Sequence, residues 1–157
     1  FPGLTASVCN LNPLSRGSVH IKSKDLNIQP EINPNYLSHT TDKKVAADSI
    51  KLARKIISQP GMKKYNPVEY APGANFQTDD ELEKVAGDIG TTIFHPVGTC
   101  AMGIQNDSVT NPNLKVNRVE KLRIVDASVM PSITSGNTNS PTLMIAEKAS
   151  ELILNEV

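Results

Sequence analysis

Two short stretches hold the residues with chemistry to offer. One is His95-Pro96-Val97-Gly98-Thr99-Cys100-Ala101-Met102-Gly103; the other is Ser135-Gly136-Asn137-Thr138-Asn139, followed at once by Ser140-Pro141. The second brings two amides and two hydroxyls to a place where a helix is expected to begin. Ser140 suits the N-cap, and Pro141 the first helical position, where a missing N–H is no loss. A helix start presents free N–H groups and a positive dipole end, which suits an anionic or electron-rich ring. In the first stretch His95 brings an imidazole and Cys100 a thiol. Without further context a histidine before proline reads as structural, and a free cysteine as a small buried hydrophobe. Cys–His–Asn is a working nucleophile set in other folds. Here only Pro96 to Thr99 separate Cys100 from His95, and no oxyanion loop is evident, so a hydrolase or transferase is disfavoured.

The elements that must position these residues follow from pattern. Leu122-Arg123-Ile124-Val125 reads as a short apolar strand left through Asp126. The later helix begins with Leu143-Met144-Ile145-Ala146, apolar on every side and expected inside protein. Glu147, Lys148, Ser150 and Glu151 then give a wet face opposite Ala149, Leu152 and Ile153. Thr91 to Phe94 run extended into His95, and strand-like pieces around Val109, Leu114-Lys115-Val116 and Leu122–Val125 are separated by Asn-rich turns. Upstream, Thr78-Asp79-Asp80-Glu81 has the spacing of a capping box, with Leu82, Val85, Ala86 and Ile89 inward. Its acids answer the helix dipole and need no metal. From Thr41 a longer helix is expected, with Val45, Ala46, Ser49, Ile50, Ala53, Ile56 and Ile57 on one face. Lys43, Lys44, Asp48, Lys51, Arg54 and Lys55 form its solvated side, and Pro60-Gly61 its stop. Ser18 to Ser23 alternate as a half-buried strand with His20 to solvent, and Ile28 to Ile32 continue extended beside prolines that favour an edge. Met62 to Gln77 read equally as a pocket-lining loop or a plain connection.

Composition narrows the classes. The 157 residues suffice for one domain with a core. Sixteen basic and sixteen acidic residues, without a long like-charge run, make nucleic acid and anionic membrane poor partners. No apolar run approaches a membrane span, and the start lacks a signal segment and an initiator Met, so it reads as the middle of a protein. Cys9 and Cys100 form neither a disulfide framework nor a metal site and are expected as buried free thiols. Three scattered histidines, His20, His39 and His95, suggest no zinc set. Nothing demands an oxidising compartment, and a cytoplasmic location is expected.

Asp126-Ala127-Ser128 with Met130-Pro131, then SGNTNSPTLMIAEKAS, together with HPVGTCAMG at 95–103, resembles the C-terminal part of the glucose–methanol–choline (GMC) oxidoreductases. The pattern SRGSVHIKS…PEINPNYL is similar to the substrate-domain sheet of the same family. The likeness covers nearly the whole chain and leans towards the choline and alcohol dehydrogenase members. It implies an α+β fold, an antiparallel sheet flanked by helices over residues 1–90. Residues 91–157 would return as strand, loop and helix to complete the FAD domain and the active-site wall.

The resemblance also implies the chemistry. An alcohol losing a hydride to flavin needs a base for its proton and a second group to hold its oxygen. His95 takes the first role and Asn137 the second. Asp126, Ala127, Thr138, Asn139, Pro141 and Thr142 would lie against the FAD, and Phe94 would line the substrate side. The family's Gly-rich dinucleotide motif is missing, since no G-x-G-x-x-G occurs. The missing N-terminal part of the same polypeptide is therefore the expected partner, beside a small alcohol, and the piece alone is expected to be inactive. A non-catalytic interaction domain on the same scaffold is the other reading.

Overall fold

The apolar spacing of residues 45–57 becomes helix α1, Thr40–Ile57, in a computed structural model that describes residues 2–156. Its cap comes from outside the pattern: the Thr41 amide donates to His39 Nδ1 at 3.1 Å. Ser58 closes the helix, before Pro60-Gly61. Helix α1 thus ends before Pro60 as expected, and Pro60 also opens α2, Pro60–Lys63, because proline's fixed φ suits a first helical turn. Helix α3, Asp79–Ile89, begins with the anticipated capping box: the Glu81 amide donates to Thr78 Oγ1 at 3.3 Å, and the Thr78 amide to Glu81 Oε2 at 2.9 Å. Ala47 of α1 and Leu82 and Val85 of α3 form a small core, with Ile50 and Phe76 against it. Ile89, expected inward, is half exposed because the packed face ends a turn earlier.

Two side chains of α1 reach far along the chain. Asp42 is only 3% exposed. It accepts from the amides of Leu14 and Ser15, the Ser15 hydroxyl and Asn10 Nδ2, and so clasps residues 10–15. Arg54 does not lie on a solvated face as the spacing suggested. It forms a forked pair with Glu69 and donates to the carbonyls of Phe76 and Gly73 at 2.8 and 3.1 Å. The 69–76 segment is thereby a fastened loop.

Strands β1 (Ser18–His20) and β2 (Glu31–Asn33) form an antiparallel ribbon with Val19 opposite Ile32. The ladder is shorter than the alternation anticipates. Val19 and Ile21, expected half-buried, are 44 and 88% exposed, and Ile32 on the neighbouring strand is 64% exposed, since no second layer among the described residues covers the ribbon. The class is nonetheless α+β, antiparallel strands with helices. All of this lies in the first of two compact units, Phe1–Ile93 and Phe94–Val157.

The second unit is built on Leu114, Val129, Met130, Ile145 and Ala149, with Val97, Met102, Ile124, Val125 and Ala127 around them. Ile145 and Ala149 belong to α4, Asn139–Leu154. This helix starts one residue before the expected cap Ser140, and Thr138 flanks it. Pro141 still sits in the first turn, where its missing N–H breaks no internal bond. Leu143 and Met144, expected inside protein, are 62 and 60% exposed. An apolar first turn points in all directions, and this core covers one of them. Leu122–Val125 is not a strand but a connection held by the Lys115–Arg123 bridge and single backbone bonds. Both thiols are free, but Cys9 is exposed and Cys100 half-buried, against the expectation of two buried cysteines. No helix of the described residues is long and apolar enough to cross a membrane.

Candidate active site

The chain enters the site through Phe94, whose φ of +62° is left-handed and uncommon for a bulky residue. That turn sends His95 one way while Val97 enters the core. Gly98 follows at φ +89°, a backbone conformation that side-chain-bearing residues rarely adopt, so the turn favours glycine. The loop then runs beside a 3₁₀ turn, Ala127–Val129. The Cys100 amide donates to Ser128 O at 3.0 Å and the Met102 amide to Val129 O at 2.9 Å. Asp126 caps the 3₁₀ turn, its Oδ1 accepting from the amide and the hydroxyl of Ser128. Fully buried Thr110 donates its hydroxyl to Cys100 O at 3.2 Å. The two sequence motifs are thus stitched together through backbone groups.

At the other end of the 3₁₀ turn, Met130-Pro131 leads to the polar loop and α4. Here His95 and the loop meet. Nε2 of His95 lies 3.1 Å from Asn137 Nδ2, and Nδ1 lies 2.9 Å from Thr138 Oγ1. The Asn139 amide donates to Asn137 Oδ1 at 2.9 Å, which turns the NH₂ end of that side chain to the imidazole. Both ring nitrogens are taken, neither by Cys100, which removes the geometric basis of a Cys–His nucleophile. Asn137 is exposed and Thr138 buried.

The helix start beside this pair is electrostatically open. Helix α3 carries Asp79, Asp80 and Glu81 in its first turn, whereas α4 has no acid there, so its positive end is uncompensated. The Asn139 amide is used by Asn137, the Thr142 amide returns to Thr138 O at 3.1 Å, and Pro141 has none. Among the described residues the Ser140 amide bonds to no carbonyl or side chain, and it remains as a donor. That donor set fits the electron-rich edge of a flavin ring. Asp126 and Ala127 lie one 3₁₀ turn away in sequence from the loop, and Phe94 is 79% exposed beside His95. The sequence reading anticipated backbone donors at Thr138. It missed the Thr138 hydroxyl as a partner of His95, for which adjacency to Asn137 was the available signal.

An imidazole held between an amide and a hydroxyl thus lies next to a helix start that has no acid in its first turn. The chain matches the GMC oxidoreductase family, in its C-terminal domain, over residues 13–146, and it belongs to that family. It is 44% identical over 155 residues to an alcohol dehydrogenase [acceptor] of Pseudomonas putida, covering 99% of this chain and 28% of that one. Identity to an oxygen-dependent choline dehydrogenase of Citrobacter koseri is 43% over 151 residues, 96% of this chain and 27% of the relative. Among solved structures, an FAD-dependent oxidoreductase from Chaetomium thermophilum aligns with TM-score 0.87 and 32% identity, over 93% of this chain and 26% of that one. A pyridoxine 4-oxidase from Mesorbium loti gives TM-score 0.84 and 31% identity, over 90% and 28%. The chain therefore spans a little over a quarter of the length of the curated relatives it matches.

Proposed function

We propose that this chain is the C-terminal part of an FAD-dependent enzyme that oxidises a primary alcohol, choline or a related one, to the aldehyde. The observation that carries the reading is the Asn137–His95 contact of 3.1 Å, with the NH₂ end of Asn137 turned to the imidazole by the Asn139 amide. Bound flavin supplies the hydride acceptor. His95 Nε2 takes the hydroxyl proton, and the Asn137 NH₂ donates to the oxygen as negative charge develops on it. Asn137 cannot accept that proton, so base duty rests on His95 alone. Alcohol entry exchanges the His95–Asn137 bond for two bonds to one hydroxyl, and no polar group is left unpaired. The Ser140 amide, with Asp126, Ala127, Thr138, Asn139, Pro141 and Thr142, would hold the flavin's edge, and Phe94 would flank the alcohol.

On this reading residues 1–90 belong to the substrate-binding domain and 91–157 complete the FAD domain. The dinucleotide-binding remainder of the polypeptide is the partner, and the alcohol is the ligand. The likeness to alcohol and choline dehydrogenases supports the substrate class. The test is an anaerobic absorption spectrum of the full-length protein before and after a panel of primary alcohols including choline. Flavin bands should bleach, and His95→Ala should slow bleaching by about 10²- to 10⁴-fold, the usual contribution of a general base. Wild-type bleaching in His95→Ala would sink the assignment.

A further inference from the structure

We propose that the Thr138 hydroxyl is a positioning residue that selects the tautomer of His95, accepting Nδ1–H so that the lone pair sits on Nε2. The inference deepens the reading above and rests on it for its kinetic consequence, though not for its geometry.

The geometry leaves one arrangement. A backbone amide can only donate, so the Asn139 N–H at 2.9 Å fixes the neighbouring atom of Asn137 as its oxygen. The atom 3.1 Å from His95 Nε2 is then the NH₂ nitrogen, which can only donate. A protonated Nε2 would set two donors against each other, so in the neutral ring Nε2 accepts and Nδ1 carries the hydrogen. Thr138 Oγ1, 2.9 Å from Nδ1, receives it. That oxygen is well anchored. Thr138 is 7% exposed at the foot of α4, and its carbonyl accepts from both the Thr142 amide at 3.1 Å and the Thr142 hydroxyl at 2.7 Å.

The choice of a hydroxyl has a chemical consequence. A carboxylate opposite Nδ1 would orient the ring equally well but would favour the imidazolium, retaining the proton that the site must release. Threonine orients without adding charge. The β-methyl of threonine also restricts its rotamers, which keeps Oγ1 aimed at the ring.

The test uses the full-length FAD-loaded enzyme labelled with ¹⁵N-histidine, with His95→Ala to assign the signal. In the wild type, at a pH where His95 is neutral, Nε2 should resonate as a pyridine-type nitrogen and Nδ1 as a pyrrole-type one. A wild-type ring protonated on Nε2 overturns the proposal without any variant. Thr138→Val keeps the shape and removes the acceptor. It should mix the two tautomers and slow flavin reduction by alcohol about 10- to 100-fold, as large as the loss when a metal-bound histidine is deprived of its orienting partner. Thr138→Ser should restore both signals. A Thr138→Val enzyme with the wild-type tautomer and rate refutes the role. Unchanged reduction in His95→Ala would overturn the catalytic reading instead, while the nitrogen shifts still report the tautomer.

Discussion

Asp42→Ala should detach the 10–15 segment from α1 and do so in a pH-dependent way. The carboxylate is 3% exposed and accepts four groups: the Leu14 amide at 3.0 Å, the Ser15 amide and hydroxyl at 2.6 Å each, and Asn10 Nδ2 at 3.1 Å. Hydrogen bonds to a charged group are worth about 1.5–3 kcal/mol each, and the freed segment recovers water for most of its donors. The expected net loss is therefore about 3–4 kcal/mol rather than the sum of four bonds. Burial pushes this carboxyl's pKa up, but the Ser15 hydroxyl and the Leu14 and Ser15 amides, helped by His39, outweigh it and leave it below the ordinary value. A depressed folded pKa means the unfolded chain binds the proton more readily. The stabilisation is then complete above the unfolded carboxylate range and lost as pH falls through the folded value. Urea unfolding of the full-length protein, with hydrogen exchange at Leu14 and Ser15, reads both effects. Wild type and Asp42→Ala should differ widely at pH 7 and converge in acid. Equal stability at pH 7, or a gap that ignores pH, would refute the reasoning.

Two further outcomes test the frame around the site. Arg54→Met keeps the stem of the side chain but removes the fork to Glu69 and the bonds to Gly73 and Phe76. It should cost about 1–3 kcal/mol and make residues 69–76 the first point of limited proteolysis. Thr78→Ala abolishes one arm of the capping box on α3 and should cost about 1 kcal/mol, read as a shifted denaturation midpoint with unchanged slope.

What the sequence disclosed depended on range. The capping box and the burial of Leu82 and Val85 are local patterns and stand where spacing puts them, whereas α1 turns Ala47, outside its expected face, into the core and leaves Ile56 54% exposed. Asp42 looked like an ordinary first-turn acid because its partners lie 27 to 32 residues away, where no spacing rule reaches. Arg54 and its loop escaped for the same reason. The cap at His39 was missed because a histidine ring rarely serves there. Alternation in Val19 and Ile21 predicted burial, but a pattern reports only that a side chain seeks cover, not that these residues provide it. At the site, motif wording pointed to His95 and Asn137. For the hydroxyl behind His95 the sequence offered only adjacency to Asn137, because which atom faces which nitrogen depends on how the loop turns.

The two backbone bonds from Cys100 and Met102 to Ser128 and Val129 also have a dynamic meaning. They are spaced like rungs of a short ladder, so neither strip can slide or open without releasing the other. Amides of both should exchange with solvent at one common rate, as a single opening unit. Mutational drift that shortens or lengthens either strip by one residue would break both rungs. The ladder therefore fixes the 3₁₀ turn against the loop that follows His95, and leaves adjustment of the site to the polar segment between Pro131 and Thr138.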